Sequence, residues 1–281
     1  MARCLAIAIE TSVFLIGGAA LAAPPGPGQH FDCSTGGTNS CATDDTGCVP
    51  STPDTLECAA GLVKAFLNAV KALEKCHCKQ AGTLLAGKSF DEEACENGTG
   101  APRPGKSARE KLDAALTKLE PLCSSQQLLD AHVEEQILFA DKSQPLSADA
   151  QIGETYCDST SGAMVMTSDS DDAGWVPHTK DILKCECAFG RNQVKLGAAI
   201  AGCHVKMAAS FFGGKDFDER TCEELDSIKH KSAVEKYDAA AAALVGKGTC
   251  PPCADLAHQT ARGEYLRAQL DSANSLAYPC H

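Results

Sequence analysis

The feature that most constrains this chain is an internal repeat, whose two copies are related by one constant shift in residue number. The segment from Cys76 to Cys95 matches the segment from Cys203 to Cys222, with identical residues at ten of the twenty positions. The same shift, called the repeat offset below, joins Cys58 with Cys185, Cys123 with Cys250, and the loop 44–50 with 171–177. Self-similarity over such a length indicates two copies of one structural unit. The sequence therefore predicts a tandem duplication.

Helical periodicity predicts that each copy is built from helices. Apolar residues and cysteines recur at a spacing of about 3.6 residues across 58–76 and again across 185–203. Pro53 and Pro177 are typical of helix starts, and a glycine follows each apolar stripe, as at helix ends. Further helices are predicted after the acidic runs at 91–93 and 218–219, and across 125–141 and 254–274. The expected fold is all-α, two copies of a disulfide-stapled helical hairpin plus a third helix.

The N-terminal segment predicts export. Arg3, an apolar stretch and the small-residue site Ala20-Leu21-Ala22 are typical of a secretory signal peptide. Glu10 divides the apolar run, which makes a retained membrane anchor the weaker interpretation. We expect a secreted or periplasmic protein in an oxidising compartment, without membrane insertion after signal cleavage. The expected organisation is a signal peptide at 1–22, a Pro/Gly-rich linker at 23–30, and helical units at 31–150 and 151–281.

Cysteine spacing predicts a disulfide framework. Signal cleavage removes Cys4 and leaves 16 of the 17 cysteines, an even number typical of bridged exported proteins. Cysteines of an antiparallel hairpin pair in a nested way, and cysteines that are absent together from one copy are expected to bond each other. Each half then closes on itself, although the neighbours of Cys187 and Cys253 allow a swap. The predicted pairs are Cys33–Cys78, Cys41–Cys48, Cys58–Cys123, Cys76–Cys95, Cys157–Cys280, Cys185–Cys250, Cys187–Cys253 and Cys203–Cys222.

Two histidines are the candidate metal ligands of the sequence. His77 and His204 lie at matching positions of the two copies, each directly after a cysteine. The competing interpretation, a helix-surface histidine beside a disulfide, is the one that the sequence favours. Bridged cysteines offer no thiolate to a metal ion. No catalytic residue is assigned, no cofactor is expected, and the sequence argues against an enzyme more than for one.

The acidic composition restricts the classes of partner. A net charge of −12 without a basic run argues against a nucleic-acid partner. The leading hypothesis is a non-enzymatic, disulfide-stabilised exported scaffold or interaction protein with an unidentified protein partner. Two alternatives stay open: a metal- or cofactor-binding protein that uses His77, His204 and nearby cysteines, and a small hydrolase or inhibitor with its site in the loops. Asn97 begins a glycosylation sequon, which matters only in a glycosylating pathway.

Three short motifs carry a resemblance to a known kind of protein. They are Cys-His-x-Lys, Gly-Lys-x-Phe-Asp-Glu-x-x-Cys and Lys-Ser-Ala-x-Glu-Lys-x-Asp-Ala-Ala, and they fall within residues 49–123 and 176–253. In these motifs the chain resembles an uncharacterised family of exported, cysteine-rich helical repeat proteins of bacterial type. The resemblance implies an all-α fold and export, and it implies no activity.

Overall fold

The computed structural model describes residues 24–31, 45–98, 105–144, 146–158 and 173–280. The predicted signal peptide at 1–22, Cys33 and Cys41 lie outside these ranges. Within them the ordered elements are helices without any strand, and isolated β-bridge positions occur at His30, Cys48 and Ala173. The predicted all-α class is confirmed. The helices are α1 (Pro53–Leu85), α2 (Glu92–Glu96), α3 (Ala108–Leu119), α4 (Ser125–Leu138), α5 (Ala148–Gln151), α6 (Lys180–Phe212), α7 (Glu219–Glu223), α8 (Ala233–Val245) and α9 (Leu256–Ala277).

Helices α1 and α6 are the longest elements, with 33 residues each. The Thr52 side chain caps the start of α1, and Pro53 occupies its first turn, as predicted. Helix α6 begins three residues after Pro177, because Thr179 accepts the hydrogen bond from the backbone N–H of Ile182. Gly87 follows α1 with a φ of +69°, a left-handed conformation that ends helices and favours glycine. The first and last residues of α6 stand at the repeat offset from those of α1.

The repeated Lys-Ser-Ala-x-Glu motif forms a helix N-terminus in both halves. Ser107 caps α3 by accepting from the Glu110 backbone N–H, and the Glu110 side chain accepts from the Ser107 N–H in return. Ser232 and Glu235 form the same reciprocal pair at α8. Hydrogen bonds from the backbone N–H groups of Gly105 and Ser107 lower the pKa of Glu110 to about 2. The motif thus encodes local structure and not a binding site.

Each half has a core of its own, and two further cores are shared. Leu73 of α1 packs with Leu112 of α3, and Phe189 of α6 packs with Tyr237 of α8. Helix α1 also lies along α6, which brings together side chains from both halves. One shared core contains Phe31, Val49, Ala59, Met207, Ala208, Phe211 and Tyr278, and the other contains Ala81, Ile152, Tyr156 and Cys187. The two halves therefore form a single packed body.

Four predicted disulfides are confirmed. Each hairpin carries one bridge near its turn and one at its open end, as nested pairing requires. The bridges near the turn span 19 residues, and the bridges at the open end span 65 residues, in both halves. They are Cys76–Cys95 and Cys203–Cys222 near the turns, and Cys58–Cys123 and Cys185–Cys250 at the open ends.

The predicted closure of each half on itself is wrong. Cys78 bonds Cys187 because α1 and α6 lie side by side, with these two Cα atoms 5.3 Å apart. Cys48 bonds Cys280, since the C-terminal segment returns to the first half and the Cys48 N–H donates to the Tyr278 carbonyl. Cys157 bonds Cys253. The predicted pairs Cys33–Cys78, Cys41–Cys48, Cys157–Cys280 and Cys187–Cys253 are therefore all incorrect.

The part of the chain that the structure describes contains no helix long and apolar enough to cross a membrane. Seven cysteine pairs lie at bonding distance within it. Bridges at this density form and persist in oxidising compartments. The framework therefore indicates an oxidising environment for the folded protein.

Glu186 is a fully buried carboxyl on α6, between two bridged cysteines. Burial raises the pKa of Glu186 to about 8, although a hydrogen bond from the Cys157 backbone opposes the shift. The neighbouring Tyr156 has a strongly raised pKa, because it is buried and because the carboxyl groups of Glu74 and Glu186, once ionised, disfavour a second negative charge beside them. Glu186 is therefore protonated in the folded protein at neutral pH.

The two disulfides that cross between the halves give the first prediction. A protease site inserted after Gln144, in an exposed turn, should yield one band on a non-reducing gel and two bands after reduction. Peptide mapping of the unreduced protein should recover Cys48 linked to Cys280 and Cys78 linked to Cys187. Two separate fragments without reductant, or a map with every bond inside one half, would contradict this connectivity.

The buried carboxyl gives the second prediction. The pKa of Glu186 is about 8 in the folded chain and 4.5 in the unfolded chain, so between pH 4.5 and pH 8 the folded state keeps a proton that the unfolded state has released. The contribution of Glu186 to the free energy of unfolding is therefore fully present below pH 4.5 and is lost as the pH rises through 8. Glu186→Gln should leave the free energy of unfolding unchanged near pH 4 and raise it at pH 9 by on the order of 2–4 kcal/mol.

The measurement for Glu186 is denaturant unfolding of the disulfide-intact protein at both pH values. Glu57→Gln, at an exposed glutamate of α1, is the matched control and should show no pH-dependent difference. An equal effect of Glu186→Gln at pH 4 and pH 9 would refute the raised pKa.

Candidate metal centres

Disulfides near the hairpin turns bring a histidine next to two glutamates in each half. Cys76 bonds Cys95, which ties α1 to α2. His77 follows the first of these cysteines, Glu96 follows the second, and Glu92 lies one helical turn before Glu96. All three of these side chains are buried. One imidazole and two carboxylates are thus held together by the covalent bond beside them.

The first centre consists of His77, Glu92, Glu96 and Asp149. The Nε2 atom of His77 lies 2.7 Å from Oε1 of Glu96 and 3.8 Å from Oδ1 of Asp149. One ligand atom from each of the four residues lies within 4.8 Å of the others. Asp149 belongs to the short helix α5, which follows the first hairpin. Four buried potential metal ligands therefore meet at one point.

The second centre consists of two overlapping sets of potential ligands, Asp45 with His204 and Asp271, and Asp45 with Glu219 and Glu223. His204, Glu219 and Glu223 stand at the repeat offset from the histidine and two glutamates of the first centre, and Cys203–Cys222 ties them together in the same way. The Nε2 atom of His204 lies 2.9 Å from Asp45 Oδ1, 3.1 Å from Glu223 Oε1 and 3.5 Å from Asp271 Oδ1. All five side chains are buried.

The second centre is assembled from both halves of the chain. Asp45 comes from the N-terminal half, whereas His204 and Asp271 come from the C-terminal half. The Thr46 backbone N–H donates to the Asp271 carbonyl over 3.2 Å, and the Ala173 N–H donates to the Asp149 carbonyl over 2.8 Å at the first centre. Thr46 and Ala173 are related by the repeat offset, so Asp149 and Asp271 play equivalent parts. Each centre is thus completed by an aspartate outside its own hairpin.

The distances in the second centre are compatible with ligands around an ion. Atoms about 2.1 Å from one ion are about 3.0 to 3.4 Å apart, from octahedral to tetrahedral geometry. Three oxygens lie 2.9–3.5 Å from His204 Nε2, yet none is aligned to accept a hydrogen bond from that nitrogen. Glu223 is fully buried, and neither of its carboxylate oxygens has a hydrogen-bond partner. The oxygens of Asp45, Glu223 and Asp271 thus surround His204 Nε2 without an aligned hydrogen bond to it.

Electrostatics in the second centre favour a bound cation. Burial by itself lowers the pKa of His204, but the carboxylates of Asp271, Asp45 and Glu223 outweigh it and raise the pKa to about 11. Arg267 adds a positive charge, 2.9 Å from the second oxygen of Asp271. The second centre places four buried carboxyl groups against one imidazole and one guanidinium. Burial raises the pKa of Glu223 to about 7, because its charged form is poorly solvated there. Uncompensated buried charge is costly, and a divalent cation that replaces the proton lowers it.

The structure changes the interpretation of the two candidate histidines. Their side chains are only 4–5 % exposed, so the helix-surface interpretation is wrong. The cysteines next to them are bridged and offer no thiolate. The glutamates could have been predicted from the sequence, because acidic residues recur at the repeat offset beside paired cysteines. Asp149 and Asp271 could not have been predicted, because they do not stand at that offset and share no motif.

The comparisons with known proteins give no information about the two centres. No family model, curated protein or solved structure matches this chain. The resemblance to exported, cysteine-rich helical repeat proteins therefore stays a prediction from the sequence. The buried histidine and carboxylate atoms of the two centres are the features that bear on function.

Proposed function

We propose that this chain is an exported metal-binding scaffold, with one divalent transition-metal ion in each of the two centres. The observation that carries the proposal is the convergence of three carboxylate oxygens on His204 Nε2 at 2.9–3.5 Å. The pairing of His77 with Glu96 at 2.7 Å in the other half supports it. The same buried residue types occur at matching positions of both halves, which favours a shared role over a chance burial of charged side chains.

The donor atoms restrict the class of metal. Imidazole nitrogen with carboxylate oxygen suits Zn²⁺, Mn²⁺ and Fe²⁺, whereas Cu⁺ prefers thiolates and thioethers. Ca²⁺ takes six to eight oxygen ligands and is a poorer match to a histidine. The nearby cysteines are bridged, so thiolate-based binding has no support here. We propose Zn²⁺ or Mn²⁺ as the ion.

The proposed role of each ion is structural. At the second centre, the ion would join Asp45 of the first half to His204 and Asp271 of the second half. Its binding free energy would then add to the stability of the shared core, since the ligands come together only in the folded chain. The first centre would join the turn of the first hairpin to α5 through Asp149. This role is compatible with a secreted or periplasmic scaffold and requires no catalytic residue.

A metal-free scaffold is the second candidate. It is favoured by the raised pKa of His204, which makes an imidazolium ion a suitable counter-ion for the carboxylates. In that case the centres would be buried ion pairs, and the protein would need no cofactor, as the sequence predicts. The two candidates differ in metal content, which can be measured directly.

The third prediction separates the two candidates. The purified, unreduced full chain should carry about two ions of zinc or manganese in elemental analysis. His77→Gln and His204→Gln should each reduce the content to about one, and the double variant should bind none. Chelation followed by saturation with Zn²⁺ or Mn²⁺ should raise the Tm of the wild-type protein by about 5–10 °C and leave that of the double variant unchanged.

The control is His132→Gln, at an exposed histidine of α4 whose side chain is 56 % accessible. It should keep both ions and the full shift in Tm. A wild-type protein that holds less than half an ion after incubation with Zn²⁺ and with Mn²⁺, and that shows no shift in Tm, would establish the metal-free scaffold instead.

A further inference from the structure

A cavity of about 240 Å³ lies beside the second centre. Its walls are formed by α1, α4 and α9, and α6 contributes Ala201 and His204. Most of the lining is aliphatic or aromatic, with Leu62, Phe66 and Leu270 among its members. The cavity reaches the surface near Val70, which is 36 % exposed. An apolar space of this size, larger than the ~150 Å³ that holds benzene, accommodates an organic molecule of about ten heavy atoms.

The charged side chains on the cavity wall, apart from His204, are both acidic. Asp130 and Glu134 lie four residues apart on α4 and therefore on the same face of that helix. Asp130 accepts a hydrogen bond from the Gln126 side chain over 2.7 Å. No described residue offers Glu134 a hydrogen bond or an ion pair. Partial burial, together with the negative charge of Asp130, raises the pKa of Glu134.

The positions that match two wall residues of the cavity carry polar side chains in the other copy. Gln193 stands at the position that matches Phe66, and its amide donates to the Thr155 hydroxyl over 3.1 Å. Glu74 stands at the position that matches Ala201 and lies against Gly190 of α6. The two halves therefore differ at these positions: the first half has polar side chains where the wall beside His204 has Phe66 and Ala201.

We propose that this cavity binds a small primary amine with an apolar body. The hydrocarbon part would lie against Leu62, Phe66 and Leu270, and the ammonium group would pair with Glu134 and Asp130. A cation at this point supplies the counter-charge for which Glu134 has no partner among the described residues, and in a partly buried site such a pairing is stronger than at the open surface. The amine does not coordinate the metal, so this inference goes beyond the proposed function and does not depend on it.

The fourth prediction is a preference for positive charge among ligands of one shape. Titration calorimetry of the full chain should compare 2-phenylethylamine, 2-phenylethanol and phenylacetate, which are cationic, neutral and anionic. The amine should bind at least tenfold more tightly than the alcohol, and phenylacetate should bind most weakly. Glu134→Gln should weaken amine binding about tenfold and leave alcohol binding unchanged. Val70→Trp, at the cavity mouth, should abolish binding of both.

The control is Glu57→Gln, an exposed glutamate on α1 outside the cavity, which should bind the amine like the wild type. Metal content measured on the same samples should be equal for wild type and Glu134→Gln, so a failure of this inference is distinguishable from a failure of the metal proposal. Equal affinities for the three probes, no binding of any of them, or an amine affinity unaffected by Glu134→Gln would overturn the assignment. Tighter binding of phenylacetate would also overturn it and would point to coordination at the second centre.

Discussion

The side-by-side packing of α1 and α6 is the constraint on which the rest of the structure depends. Because the two long helices lie along each other, Cys78 reaches Cys187, and both shared cores form between the halves. The same packing places the segment around Asp45 over His204. A chain of two independent hairpins would have neither the crossing disulfides nor the second centre in its present form. Two repeats are thus combined into one body by an interface that neither repeat contains alone.

The burial of carboxyl groups in the two centres is the main unfavourable contribution to the stability of this fold. The second centre holds four carboxylates at 4 % exposure or less, in a protein with few aromatic residues and cores made largely of small and aliphatic side chains. Isolated charges in such surroundings are strongly unfavourable unless a counter-charge is present. The disulfides fix the glutamates next to the histidine covalently, so the cluster cannot relax by moving its members apart. The proposed divalent ion would neutralise more of this charge than an imidazolium ion alone.

The two halves have kept the same frame and diverged in what surrounds it. The bounds of α1 and α2 recur in α6 and α7, as do the Ser-x-x-Glu capping box, two disulfides per half, and the histidine and two glutamates of each centre. The wall residues differ: Gln193 and Glu74 stand at the positions that match Phe66 and Ala201 of the cavity beside His204. The repeated frame therefore carries different side chains at matching positions of the two halves.

The sequence by itself determined the local and covalent features of each half. The helical periodicity, the Ser-x-x-Glu capping boxes and the cysteine spacing are short-range patterns, so the helices and the four hairpin disulfides could be predicted from them. Glu92 and Glu219 were visible in the repeat, but only as charges suited to a helix start. The tertiary structure alone decided the pairs Cys48–Cys280 and Cys78–Cys187 and the arrival of Asp45 and Asp271 at His204. These contacts join residues that are far apart in the chain, and they depend on how α1 meets α6, a geometry that no local spacing encodes.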